Sequence, residues 1–398
     1  MRLRVTTAGE SHGRGMIAVI SGLPAGLQID KSLIDAELSR RQRGYGRGER
    51  MKIEADAADV LSGIRHGRTI GSPVTVVVWN RDWQNWQEDM AAWLEAGQQP
   101  TRAAVRKPRP GHADLAGLYK YGLFDIRDIL ERASARETAA RVAAGAICKQ
   151  LLAEFGITIR SQVLRIGTVE ASPADLSDEQ TWQRVEDSPV RCADERASEL
   201  MCREIDMARE EGDSLGGVGE VVAFGVPPGL GSYASWEERI DAALAWAVMS
   251  IPSVKAVEIG DGWTCAEKPG SQVHDEIILD QRRPWGIGRG SNRAGGVEGG
   301  ITNGEPVVVR AAFKPIPTLR KPLASVNLDT GQSEEAHAER ADVCIVPAGC
   351  VVAEAMVAIV FGDFLLRKFG GDHIEDVKQA HQAYLKRLSD MVRGDEAT

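Results

Sequence analysis

No CxxC pair and no Cys/His metal spacing occur among the six cysteines of this 398-residue chain. Zinc-finger and dithiol redox motifs are thereby excluded, and the cysteines read as reduced thiols of a cytoplasmic protein. Long apolar runs are also missing: no stretch of about 18 apolar residues is present, so no membrane span is expected. The N-terminus "MRLRVTTAGESHG" lacks the apolar stretch of roughly 7–15 residues that marks a secretory signal. Aromatics make up only 5% of the chain, and 57 acidic against 48 basic residues give a net charge of -9. Few stacking platforms and the wrong overall sign argue against a nucleic-acid binder. HExxH and the P-loop pattern are absent, which removes the main support for a zinc protease or a P-loop NTPase.

What is present is internal repetition. "ESHGRGMIAVISGLPAGL" (10–27) aligns at one constant offset with "DSLGGVGEVVAFGVPPGL" (213–230). "GIRHGRTIGSPVTVV" (63–77) aligns with "GVEGGITNGEPVVVR" (296–310), and "ERAS" (131–134) with "ERAD" (339–342). Three matches in the same order predict two related halves, about 1–165 and 205–370, in a single domain. Each half reads as a strand, a helix (about 31–42 and 236–249), a Gly-rich turn with a strand, and a long closing helix (about 135–155 and 348–368). Hairpin-like turns outnumber crossovers. The expected class is α+β: a repeated β-α-β sandwich with the helices between two mainly antiparallel sheets. Residues 170–213, rich in Asp and Glu, read as a solvated connector, and 373–393 as a helical tail. Trp79, Trp83, Trp86 and Trp93 read as a helical stripe in a core or subunit contact.

Chemistry concentrates in a few segments. In "GESHGRG" (9–15), glycines surround His12, a residue able to carry a proton near neutral pH. "SRRQRGYGRGER" (39–50) raises arginine density inside an acidic protein, and arginine forks suit phosphates and carboxylates. "RKPRPGHADLAG" (106–117) holds a second Gly-His turn at His112, with Arg109 fixed between prolines. Two such turns beside arginines suggest two proton donors in an anion-binding cleft. Arg132 and Arg340 take matching repeat positions, followed by Ser134 and Asp342; Ser134 also suits a helix cap, with Glu137 three residues on. An anion-binding module and an RNA-binding protein are the alternatives from other classes. Neither explains two Gly-His turns together with Asp342.

"GESHGRG", "RRQRGYGRG", "RPGHADLAG", "ERASARETAARVAAG", "GDSLGGVGEVVAFGVPPGLG", "NRAGGVEGGITNGE" and "RADVCIVPAG" resemble the signatures of the chorismate synthase family, nearly end to end. The resemblance implies a lyase of the shikimate pathway that supplies aromatic amino acid biosynthesis. Such an enzyme converts 5-enolpyruvylshikimate 3-phosphate to chorismate by trans-1,4-elimination of phosphate, with reduced FMN although there is no net redox change. It implies that His12 protonates the leaving phosphate, that His112 holds a proton near the flavin, and that Asp342 assists proton removal with Ser134 nearby. FMN contacts are implied for Arg132, Ala133, Ser134, Pro252, Ser253, Gly299, Lys314, Pro315, Ile316, Pro317, Thr318 and Arg340. Arg41 and Arg47 match positions that hold the anionic substrate or NADP. Pro252 and Pro317 depart from the usual wording, and Pro252 offers no N–H. A homotetramer, a separate flavin reductase and NADPH as the source of reductant are implied; no nucleic acid or membrane partner is expected.

Overall fold

The computed structural model describes residues 2–47, 56–94, 99–336 and 342–393. Strands begin where small and β-branched residues alternate in burial. In Gly15–Ser21, Met16, Ala18 and Ile20 turn inward while the residues between them stay partly exposed. Four antiparallel strands form one sheet in the order Arg4–Ala8, Gly15–Ser21, Val74–Trp79, Ala58–Ser62. A second antiparallel sheet has the order Val254–Ile259, Val307–Phe313, Gly217–Phe224, Thr158–Ile166, Val169–Glu170. With repeat-equivalent strands substituted, the first four strands of both sheets run in the same order. The α+β sandwich expected from the sequence is the fold observed.

Helices Thr138–Ala153 and Val346–Phe369 lie face to face between the sheets, and both are buried on most sides. Their contact is close because the residues there are small. A Cβ on Gly145 would stand 2.4 Å from the Cβ of Ala355. Val346–Phe369 is long and apolar enough to cross a bilayer by length and composition, yet its most apolar stretch is 89% buried inside the protein. It is a core helix.

One charge sits in that core. Glu354, fully buried on Val346–Phe369, accepts from Arg40 at 2.8 and 3.0 Å and from Arg191 at 3.3 Å. Lys149 and Ser161 also donate to it. Burial pushes its carboxyl up, but Arg40, Lys149 and Arg191 outweigh that and hold it below the ordinary glutamate value.

The repeat is repeated in hydrogen bonds. Thr69 Oγ1 donates to the Pro24 carbonyl (2.6 Å) and accepts from the Leu27 N–H (3.0 Å). Thr302 Oγ1 donates to Pro227 (2.7 Å) and accepts from Leu230 (2.8 Å). We propose on this basis one domain of two related halves. The strand Thr158–Ile166 pairs with Gly217–Phe224, so the second sheet claims residues placed above in the first half.

Two sequence expectations are corrected. Residues 170–213 are no solvated connector: helices Glu179–Asp187 and Glu195–Glu211 bury Trp182, Val185, Met201 and Ile205. Their apolar residues recur at helical spacing on one face, and the acids that dominate the composition lie on the other. The segment also holds the arginine loop, through Tyr45 N–H to the Pro189 carbonyl (2.8 Å) and Tyr45 OH to Asp206 (2.8 Å). The tryptophans form no helical stripe. Only Trp83–Asn85 makes a single 3-10 turn: the Asn80 side chain takes the Asp82 N–H, and the Asp82 carboxylate accepts from the Asn85 amide and the Trp86 indole. The helical tail is present as Ile374–Arg393.

Glu354→Gln is expected to cost about 3–5 kcal/mol in urea melts at pH 7, since three buried cations lose their shared charge. The lowered carboxyl contributes stability that is complete above the unfolded glutamate value of about 4.3 and is lost as pH falls below it. The variant should therefore lose less stability than the parent on acidification from about pH 4. Thr69→Val and Thr302→Val should each cost about 1–3 kcal/mol, the penalty of an unmade buried hydrogen bond. They share no partner, so the double variant should show the sum.

Candidate active site

The loop after Arg4–Ala8 turns at Gly9, where φ is 107° and a Cβ would stand 2.2 Å from the Gly15 carbonyl oxygen. Only glycine fits there. The turn presents Ser11 and His12 to the end of helix Arg127–Ala133. The Glu131 carbonyl accepts from Ser11 N–H at 2.9 Å. Its carboxylate accepts from His12 N–H at 2.7 Å and meets His12 Nδ1 at 2.8 Å. Trp86 stacks on the His12 ring, with centroids 3.7 Å apart.

Ser134 follows that helix in an extended conformation, accepts from Arg136 N–H at 3.3 Å and donates to Ser11 Oγ at 3.2 Å. It is thus both a cap and a neighbour of the histidine loop. Arg132 reaches the carbonyls of Gly9 (3.0 Å) and Thr7 (3.1 Å). Thr7 donates to Glu137, which accepts from Arg141, and Arg141 in turn donates to Ser250 Oγ at 2.8 Å. This chain of bonds leads toward Pro252 and Ser253.

From there the bonds run to the second histidine. Ser253 C=O accepts from Lys314 N–H at 2.8 Å, and Lys314 Nζ donates to the Gly111 carbonyl. Ser214, the repeat counterpart of Ser11, donates to the Ile316 carbonyl at 2.8 Å. Pro317 packs 3.6 Å from where a Gly111 Cβ would lie, and Thr318 Oγ1 accepts from Arg109 at 3.5 Å. Asp114, buried at the start of helix Asp114–Tyr121, bonds His112 Nδ1 and accepts from Arg109 N–H (3.0 Å) and Nε (2.9 Å). Burial raises its carboxyl, but the bonds from His112 and Arg109 win, and it is held well below the ordinary value.

The third part is cationic. Arg47 pairs with Asp342 at 2.8 Å, and Val343 N–H donates to the Gly46 carbonyl at 2.7 Å. Arg41 is buried, with Asp56 at 2.8 Å; Arg136 reaches the same carboxylate at 2.7 Å. Burial, together with Arg136 and Arg47, lowers the Arg41 guanidinium against the pull of Asp56. Arg41 therefore braces the site from inside, while Arg47 is the more exposed of the two.

The structure brings together His12, Ser134 and Arg132, and separately His112, Ser253 and the 314–318 segment. Ala133 lies between Arg132 and Ser134. Gly299 sits elsewhere, at the tip of the Val297–Thr302 hairpin beside Gly231 and Ile240. Arg340 lies outside the described residues. Sequence assigns no role to Glu131, Ser11, Asp56 or Asp114, and to Trp86 only a place in a helical stripe. Glu131 stands inside the "ERAS" repeat, the one signal that could have drawn attention to it. Cavities of about 280 and 190 Å³ are lined by Cys265, His274 and Asp275 and by Arg40, Arg43 and Arg191 respectively, and neither includes a site histidine.

The chorismate synthase family model matches residues 3–366. Chorismate synthase of Symbiobacterium thermophilum is 55% identical over 97% of this chain and 100% of its own length, and that of Desulforudis audaxviator is 53% identical over 97% and 98%. A crystal structure of chorismate synthase superposes with a TM-score of 0.77 at 43% identity, covering 98% of this chain and 99% of that one. This chain belongs to the chorismate synthase family.

Proposed function

We propose that the two histidine loops and the arginine loop form the site where 5-enolpyruvylshikimate 3-phosphate loses phosphate to give chorismate. The observation that carries the reading is the pairing of each histidine with a buried carboxylate, His12 with Glu131 and His112 with Asp114, among arginines and Lys314 in an acidic protein. Such donors suit a substrate bearing two carboxylates and a phosphate. The family reaction is a carbon–oxygen lyase step of the shikimate pathway, with no net oxidation or reduction.

His12 holds the proton delivered to the departing phosphate; Glu131 occupies Nδ1, so Nε2 is the nitrogen that delivers it. Arg47 binds substrate anion, with Arg41 and Arg136 behind it on Asp56. Asp342, paired with Arg47 at 2.8 Å, accepts the proton released at the close of turnover. His112, fixed by Asp114 and Arg109, holds a proton at the cofactor edge. Arg132–Ser134 in one cluster and Ser253 with 314–318 in the other offer cations, hydroxyls and main-chain groups that would hold reduced FMN. When bound, reduced FMN would supply electron density to the substrate. Pro252 contributes no N–H, which leaves Ser253 the donor of that pair. NADPH acting through a separate flavin reductase is the proposed source of reductant. Exposed Tyr233, Trp236, Trp246 and Trp263 supply apolar surface for a homotetramer.

His12→Ala should keep flavin affinity and lose roughly 10²–10⁴-fold in turnover, read by anaerobic stopped-flow absorbance of reduced flavin with substrate. An unchanged rate at neutral pH rejects the assignment. Asp342→Asn should fold normally, with its largely buried ion pair to Arg47 weakened, and slow the proton-release step in single-turnover kinetics. Normal turnover with a large stability loss would make Asp342 structural.

A further inference from the structure

We infer that Glu131 is the positioning residue of His12, forming a carboxylate–imidazole dyad that sets which ring nitrogen carries the transferable proton. The inference rests on the role proposed for His12. The Glu131 carboxylate is 1% exposed, and among the described residues His12 is its only ion-pair partner. It bonds the same residue twice, at the main-chain N–H (2.7 Å) and at Nδ1 (2.8 Å), so ring and backbone are held in one relation. Its own carbonyl holds Ser11, one residue earlier. A buried carboxylate held at Nδ1 keeps a proton on that nitrogen, in the neutral ring as in the imidazolium. Nε2 is then left to give its proton to an oxygen of the leaving phosphate; the N–H bond breaks as the new O–H bond forms, and the ring is neutral afterwards.

Trp86 completes the placement. It stacks on the imidazole with ring planes 24° apart and is itself held by Nε1–H to Asp82 at 2.9 Å. The ring is thus fixed by a hydrogen bond at its edge and by an indole on its face, and rotation about its side-chain bonds is suppressed. The other charged groups near it are Glu10 and Arg14 on its own loop, Asp82, Arg102 and Arg127 around Trp86, and Arg132 on the Glu131 helix. Arg102 lies 3.8 Å and Arg127 5.8 Å from the Trp86 centroid, and Arg132 turns to Gly9 and Thr7. These cations oppose the imidazolium from a distance. Glu131 is the group that touches it.

The test is Glu131→Gln, which preserves size and removes charge. In Glu131→Gln, kcat should fall roughly tenfold or more, as a general acid loses its orientation. KM for substrate and affinity for FMN should stay within about twofold. Nitrogen-15 NMR of histidine-labelled protein gives a readout independent of turnover. In the parent, neutral His12 should carry its proton on Nδ1, and in Glu131→Gln the Nε2–H tautomer should appear beside it. A proton on Nε2 in the parent, or an unchanged tautomer in the variant, overturns the dyad. A changed tautomer with unchanged kcat supports the dyad and rejects His12 as the acid. The parent tautomer decides the question if the variant does not fold.

Discussion

A single buried carboxylate, Glu354, joins elements that are distant in sequence. Arg40 reaches it from helix Lys31–Gln42, Lys149 from Thr138–Ala153, Ser161 from the second sheet and Arg191 from the segment between the halves. An unpaired charge in that position is strongly destabilising, so the four elements close around it together or not at all. The small-residue contact of Gly145 with Ala355 brings the helices near enough for this to happen. Arg40 lies in the last turn of helix Lys31–Gln42, from which the arginine loop leaves at Arg43, and the site inherits its position from that anchor.

The site repeats the same physics nearer the surface. Each cation or histidine is held by a carboxylate or carbonyl whose own position is set by a helix end or a turn. Glu131 closes one helix, Asp114 opens another, and Asp56 unites Arg41 with Arg136. Fixing donors before substrate arrives reduces the reorganisation needed when charge develops on the phosphate. Asp342 and Arg47 pair across the approach of the arginine loop to the start of Val346–Phe369. Their pairing places the proposed anion-binding group and the proposed proton acceptor side by side.

The repeat seen in sequence has a structural counterpart in Thr69 and Thr302, which close equivalent turns with equivalent bonds. The chemistry does not repeat. Ser11 and His12 belong to the first copy; the second copy has Ser214 and Leu215 in those places, and Ser214 bonds the Ile316 carbonyl instead. One copy carries the proposed proton donor and the other supports the 314–318 segment.

Local pattern alone determined the strands, the two long helices, the α+β class and the loops rich in Gly, His and Arg, because alternation and helical spacing are properties of neighbouring residues. Composition misled where it hid periodicity: the acids of 170–213 masked two amphipathic helices that bury Trp182 and Met201. Spacing misled at the tryptophans, where the Asn80 side chain took the Asp82 N–H and the Asp82 carboxylate took the Asn85 amide and the Trp86 indole. His12 and Glu131 stand 119 residues apart, Arg47 and Asp342 nearly 300, and no local signal pairs them. Which histidine meets which carboxylate, which arginine is buried and which stays open, and that Trp86 covers a ring rather than a core were decided only by tertiary structure. Such contacts depend on how the sheets and helices close around one another, and that closure is a property of the whole chain.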